Sequence, residues 1–126
     1  VLESNEIVVE LQLPKPSNGA KSAFVDYTQR KSIDFPIVNC AVMMVFSNTK
    51  MIDARICLNA VHVVPYRPKK AELALIGHTY SDRLVEEAGE IVVADASPLD
   101  NNIYMVQIAK TLAKRAIQAC REAAVE

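Results

Sequence analysis

Residues 24–46 read "FVDYTQRKSIDFPIVNCAVMMVF". The stretch is polar and doubly basic from Thr28 to Lys31, passes through Asp34, and is almost wholly apolar from Phe35 to Phe46. Within it, "IVNCAVMMVFSN" (37–48) is apolar at odd and even positions alike and carries β-branched residues. A strand with one wet face alternates, whereas one apolar on both faces suits the centre of a sheet covered on both sides. The polar run before it reads two ways. It is a surface loop feeding a core strand, or the rim of a binding site that the strand holds in place.

The neighbours support a sheet built around this strand. "SNTK" (47–50) turns the chain, and "MIDARICLNAVHVV" (51–64) gives another strand with Ile52, Ala54, Ile56 and Leu58 on one face. Its tail, Val61 to Val64, continues the strand or bends it. Upstream, "SAFVDYTQR" (22–30) reads as a strand and "PSNG" (16–19) as a turn, with Gly19 available for a positive φ. Earlier still, "EIVVELQLPKP" (6–16) alternates: Ile7, Val9, Leu11 and Leu13 share one face, Glu10 and Gln12 the other. That predicts a half-buried strand, closed by Pro14 and Pro16, which lack the N–H a ladder needs. Three or four sequential strands with short turns make an antiparallel meander.

The period then changes. "RPKKAELALIG" (67–77) places Pro68 at a helix's first turn and Gly77 at its stop. "SDRLVEEAGEIVVADA" (81–96) spaces Leu84, Val85, Ala88, Ile91 and Val92 as a helix does, although Gly89 costs about 1 kcal/mol against Ala. The strongest helical signal is "NNIYMVQIAKTLAKRAIQACREAA" (101–124). Met105, Ile108, Leu112, Ala116 and Ala119 form its stripe, flanked by Val106, Ala109, Ala113, Ile117 and Cys120, with Asp100, or Ser97 with Asp100, as cap. Strands first and helices afterwards predict an α+β fold: an antiparallel sheet of three to four strands packed on one face by about three helices.

With 126 residues there is room for a single domain, residues 1–126. The net charge of −1 comes with no clustered cations beyond Arg67, Lys69 and Lys70, which argues against nucleic acid as a partner. The longest apolar run, Cys40 to Phe46, is far short of the roughly 20 residues of a membrane span. Three scattered cysteines, Cys40, Cys57 and Cys120, with no C-x-x-C pair, predict reduced thiols and a cytoplasmic setting, and no metal site is expected. The chain opens on Val1 rather than Met, so a piece of something longer is expected.

Reactive groups are few. His62 lies in the apolar "AVHVVP" and is expected to be a half-buried, satisfied histidine; His78 beside Gly77 suits a helix C-terminal cap. Asp82, Glu86, Glu87 and Glu90 read as a solvated helix face. Phosphate-cradling loops and the common hydrolase motifs are missing. A small independent enzyme would have to use Cys40, Cys57 or His62; an accessory part of a larger machine suits the residues better.

Three ordered segments carry a family resemblance. "FVDYTQRKSIDFPIVNCAV" resembles F-x-K-x-x-x-R-x-x-x-D-x-x-x-V, with Phe24, Arg30, Asp34 and Val38 in place. "ARICLNAVHVVPYRPKKAELALIG" resembles A-R-I-x-x-G-x-V-x-x-x-P-x-R-x-x-x-A-E-x-x-L-x-G through Ala54, Arg55, Ile56, Val61, Pro65, Arg67, Ala71, Glu72, Leu75 and Gly77. Near the end, Pro98, Tyr104, Leu112, Arg115 and Ala116 fit a third pattern, and "EIVVELQLP" resembles an opening strand. This order is similar to that of the C-terminal domain of the FAD-binding (medium) subunit of molybdenum hydroxylases, the group of carbon monoxide dehydrogenase and xanthine dehydrogenase.

The resemblance implies an oxidoreductase part that is inactive alone. FAD would be gripped mainly by domains upstream of this sequence, with molybdopterin and [2Fe-2S] clusters in partner subunits. The expected partners are the FAD domains of the same subunit and the iron–sulfur and molybdenum subunits. By itself the piece is expected to form homodimers through the patch where the other domains dock. Asp26 and Arg30 become the flavin-proximal candidates, with no catalytic residue assigned. Asp26 departs from the family's lysine, Leu58-Asn59-Ala60 replaces its glycine pair, and Tyr104-Met105 its Y-R. Arg30 either pairs with Asp34 across the bend or serves a phosphate or a partner carboxylate. The alternative function is a module of the same fold used only for subunit assembly.

Overall fold

The computed structural model describes residues 2–123. Its sheet has three antiparallel strands, β1 (Ala20–Tyr27), β2 (Val38–Ser47) and β3 (Lys50–Asn59), in the order β1-β2-β3. Three helices follow: α1 (Lys69–Leu75), α2 (Asp82–Val93) and α3 (Ile103–Glu122). The α+β class and the central place of the 37–48 segment are as the sequence predicts. Ala124, the last residue of the predicted final helix, lies outside the described residues.

β2 is central because its inward positions, Val38, Cys40, Val42 and Met44, are all apolar and essentially inaccessible. α3 lies across β2 and β1, α1 covers β3, and α2 packs outside against α1 and α3. The core contains Met44, Met51, Ile56, Leu58, Leu75 and Ile117, each fully buried and each worth about 1.5–3 kcal/mol in burial. The buried stripe of α3 is Ala109, Leu112, Ala113, Ala116, Ile117 and Cys120, rotated from the predicted one, with Met105 and Ile108 only packed at its margin. Small residues there let α3 lie close to the sheet. Gly89 does the same for α2: a Cβ on it would sit 2.7 Å from Cγ of Lys114.

Several expectations are corrected. Residues 7–13 form no strand; Ile7, Val9, Leu11 and Leu13 are 81, 87, 86 and 89% exposed, because nothing in this chain pairs with them among the described residues. β3 is bulged: Val45 pairs with Asp53 but Phe46 with Met51, so Ile52 is the extra residue and points outward while Met51 turns into the core. The second face of β2 is not fully covered, Ala41 being exposed and Asn39 and Met43 half-buried. Neither Ser97 nor Asp100 caps α3; its N-cap is Asn102, whose Oδ1 accepts instead from the Leu99 N–H at 2.6 Å. The acidic face of α2 is exposed as expected, and in addition Lys114 reaches Glu86 at 2.8 Å and Lys110 reaches Glu90 at 2.6 Å.

Turns follow backbone chemistry. Asn48 adopts φ 55° in the β2–β3 hairpin, a conformation Asn tolerates through its short polar side chain. Gly77 ends α1 at φ 85° and donates to the Met51 carbonyl at 2.7 Å, while the Met51 N–H donates to the His78 carbonyl at 3.0 Å. His78 thus joins helix end to sheet edge through its backbone, not as a side-chain cap. Ala60, by contrast, sits at φ 66°, where an L side chain costs roughly 1–2 kcal/mol. Ala60→Gly relieves that strain, less the 0.4–1 kcal/mol of unfolded-chain entropy that glycine adds, for a net gain of about 0.5–1 kcal/mol. Thermal denaturation should show a rise in Tm of a few degrees; an unchanged or lower Tm would mean that Ala60 is unstrained.

Candidate functional site

The sheet's uncovered face is built in rows by the strand register. Phe24, Ala41 and Cys57 face each other across the three strands, with Asp26, Asn39 and Asn59 on one side and Ser22, Met43 and Arg55 on the other. Phe24 is 63% exposed and stands over the small side chain of Ala41. The row carries one aromatic ring, one small side chain and one thiol.

A loop of residues 28–36 joins β1 to β2 at the Asp26–Asn39 end of the sheet, closed at its base where the Ile37 N–H donates to the Tyr27 carbonyl at 2.8 Å. Arg30 turns back on Asp34, Nε to Oδ2 at 3.2 Å and Nη2 to Oδ1 at 3.3 Å. The pair fixes the bend, but with the Arg30 side chain 75% exposed it contributes no more than about 1 kcal/mol. Of the two sequence candidates, Asp26 is exposed on the face and Arg30 belongs to the loop. Among the described residues no hydrogen bond or ion pair joins them. Ile33 and Phe35 project from the loop into solvent, Phe35 at 94% exposure.

A second constellation went unassigned in the sequence. Glu72 is only 6% exposed, and its Oε1 accepts from the Ile56 N–H of β3 at 2.9 Å and from Arg67 Nε at 3.0 Å. Its Oε2 accepts from Arg67 Nη2 at 2.7 Å. The hydrogen bond to Glu72 pushes the Arg67 pKa above its ordinary value, so the guanidinium stays charged. Next to it the Leu58 and Tyr66 backbones exchange two hydrogen bonds of 2.8 Å. Arg67 and Glu72 were legible as matched positions, but periodicity could not show that their side chains meet a strand edge.

A third feature is an apolar cleft of about 380 Å³ between the 60–66 segment, the end of α2 and the start of α3. His62 lies at its rim, exposed rather than half-buried as expected, its Nδ1 accepting from the Val64 N–H at 3.3 Å. Burial and then the neighbouring Cys57 push the Cys40 thiol up to about 12, and burial raises Cys120. Neither is a nucleophile near neutrality. Among the described residues no group of His, Cys, Asp and Glu is placed to hold a metal ion, and no helix is long and apolar enough to cross a membrane.

Comparison with known proteins places these features. The profile of the family described as "CO dehydrogenase flavoprotein C-terminal domain" matches residues 23–120. The carbon monoxide dehydrogenase medium chain of Hydrogenophaga pseudoflava is 28% identical over 123 residues, covering 94% of this chain and 42% of its own length. A solved carbon monoxide dehydrogenase from the same organism superposes with a TM-score of 0.80 at 25% identity, over 87% of this chain and 39% of that one. Quinoline 2-oxidoreductase from Pseudomonas putida 86 shares the fold, with a TM-score of 0.74 at 22% identity over 82% of this chain and 37% of that one. The chain therefore spans about two fifths of the relatives it matches.

The two ion pairs make opposite predictions. Glu72→Ala strands a buried N–H and a guanidinium, and should cost about 2–3 kcal/mol in urea denaturation; Arg30→Ala should cost under about 1 kcal/mol. Equal losses would contradict the clamp. In the folded chain at pH 8, Cys57 should alkylate while Cys40 stays unmodified. Since folding raises the Cys40 pKa from 9.0 to about 12, its contribution to stability is complete below pH 9 and is lost as pH rises towards 12. A pH titration of the unfolding midpoint checks the sign.

Proposed function

We propose, from the premise that this chain belongs to the CO dehydrogenase flavoprotein C-terminal domain family, that it serves as the C-terminal domain of the flavoprotein subunit of a molybdenum hydroxylase-type oxidoreductase. In this reading the uncovered sheet face and the 28–36 loop flank FAD, and the remaining exposed surface docks partner subunits. Electrons would reach the flavin from iron–sulfur clusters after oxidation at molybdenum. The observation that carries the reading is the row Phe24–Ala41–Cys57, left uncovered by the helices and inside the span that matches the family.

The residues fit one part of the cofactor and not another. A planar ring system suits a row with an aromatic residue on one edge strand and no bulky side chain at its centre. A pyrophosphate needs clustered backbone N–H groups, usually at glycines, and the three glycines here (Gly19, Gly77, Gly89) lie in a turn, a helix end and a helix packing contact. Arg30 is engaged by Asp34. This chain would cover one side of the flavin while the upstream part of the parent protein grips the rest. The bound flavin supplies the electron chemistry. The chain's own residues exclude water and set the local charge.

Asp26 has a definite electrostatic consequence there. A carboxylate beside the ring opposes added negative charge on reduction, so it lowers the flavin potential. Asp26→Asn in the parent flavoprotein should raise the midpoint potential by about 30 mV, the shift that about 1.4 kcal/mol produces in a two-electron couple. Visible spectra supply the prior test: the full parent protein should be yellow with FAD and the 126-residue chain colourless. A colourless parent would overturn the proposal.

The second reading, an assembly module that never touches flavin, is favoured by Asp26 in place of the family's lysine and by the exposed Ile33 and Phe35. A yellow parent whose potential ignores Asp26→Asn would establish it.

A further inference from the structure

Residues 7–13 have the side-chain alternation of a β-strand and no partner among the described residues. Four large apolar side chains, Ile7, Val9, Leu11 and Leu13, alternate with polar or smaller ones, and the four are the most exposed apolar residues upstream of β1. On the other face Gln12 Nε2 donates to Glu10 Oε1 at 2.6 Å. Alternation of this kind describes a strand with one buried face, and an isolated strand leaves its ladder groups unmade.

This chain's own sheet does not take the segment. The edge at β3 is already closed, by Glu72 on the Ile56 N–H, by Tyr66 on Leu58 and by Gly77 and His78 on Met51. β1 follows the segment after Pro14, Pro16 and the Ser17–Ala20 turn, yet the two are not paired.

The family match begins only at residue 23, so the segment precedes the domain proper. It is nevertheless part of the homologous polypeptide: with 94% of this chain aligned, about eight residues fall outside, fewer than the thirteen that an alignment starting after residue 13 would omit. More than half of that relative lies outside the matched region, its 42% coverage leaving ample chain for another sheet.

We propose that residues 7–13 are an edge strand of a β-sheet in the upstream, flavin-gripping part of the same polypeptide, added by backbone pairing with Ile7, Val9, Leu11 and Leu13 against that sheet's apolar layer. Pro14 and Pro16 end the strand, and residues 14–19 link the two sheets. The inference rests on the flavoprotein reading for the identity of the partner. It makes the strand a tie that orients this domain's open face towards the cofactor.

The test uses the full-length parent polypeptide. Amide hydrogen exchange over residues 7–13 should be slowed by ~100-fold or more, as in an ordered ladder. Leu11→Asp should remove most of that protection, and Gln12→Asp, on the wet face, should not. A photo-crosslinking residue placed at Gln12 should attach to sequence upstream of this chain. Exchange at the unstructured rate, or crosslinks to β1 or to a second copy, would overturn the proposal. Flavin absorbance of the same samples judges the flavoprotein reading separately, since a protected strand in a colourless parent, or an unprotected one in a yellow parent, divides the two.

Discussion

A single buried carboxylate decides what this domain leaves open. Glu72 receives the Ile56 N–H and both arms of Arg67, and so ties the first turn of α1 and the strand-following segment to the outer edge of β3. A strand edge with free N–H groups invites pairing, and a carboxylate accepting from one of them blocks it while neutralising its own charge against a guanidinium. With Leu58–Tyr66 and Met51–His78 completing the closure, β3 has no room for a fourth strand. The helices take one face of the sheet. What remains is the opposite face, and there the functional reading has to be sought.

The division of labour along each strand follows from the pleat. In β2 the inward set Val38, Cys40, Val42 and Met44 builds the core, while the outward set Asn39, Ala41 and Met43 is held in place without being used by it. The outward residues can therefore vary for function without disturbing the fold. Asp26 is such a residue: it stands where the resemblance implies a lysine, yet the strand pairing around it is regular. Arg30 and Asp34 serve the bend of the loop, which leaves Asp26 and Arg55, the latter 3.5 Å from Asp53, as the exposed charges in the rows of the open face.

The sequence was readable where one local signal sufficed. The β2–β3 hairpin announced itself by two apolar runs about a polar turn, and α3 by its long periodic stripe. It was misleading where a residue's state depends on a neighbour far along the chain. Alternation in 7–13 correctly describes a strand face but cannot say which sheet receives it. Ile52 looks like the start of an inward series because a bulge is invisible to a period-two count. Glu86 and Glu90 are exposed, as their face suggests, but nothing local shows that Lys114 and Lys110 reach them from another helix. Glu72, a matched position on a short helix, shows its role only once the strand edge is placed beside it. The open face left no signal of its own, since an outward Phe, Ala and Cys on three strands form a row only once the register is known.

Cys57 gives that row a native reporter. It stands beside Ala41 and in line with Phe24, partly exposed, so its alkylation reads directly whether the face is covered. The decisive measurement is its alkylation rate in the full parent flavoprotein with FAD bound and after FAD is removed. If the uncovered face lies against the cofactor, bound FAD slows the reaction by about tenfold or more, corresponding to about 1.4 kcal/mol or more of protection. Equal rates in an apoprotein shown to stay folded would contradict the account.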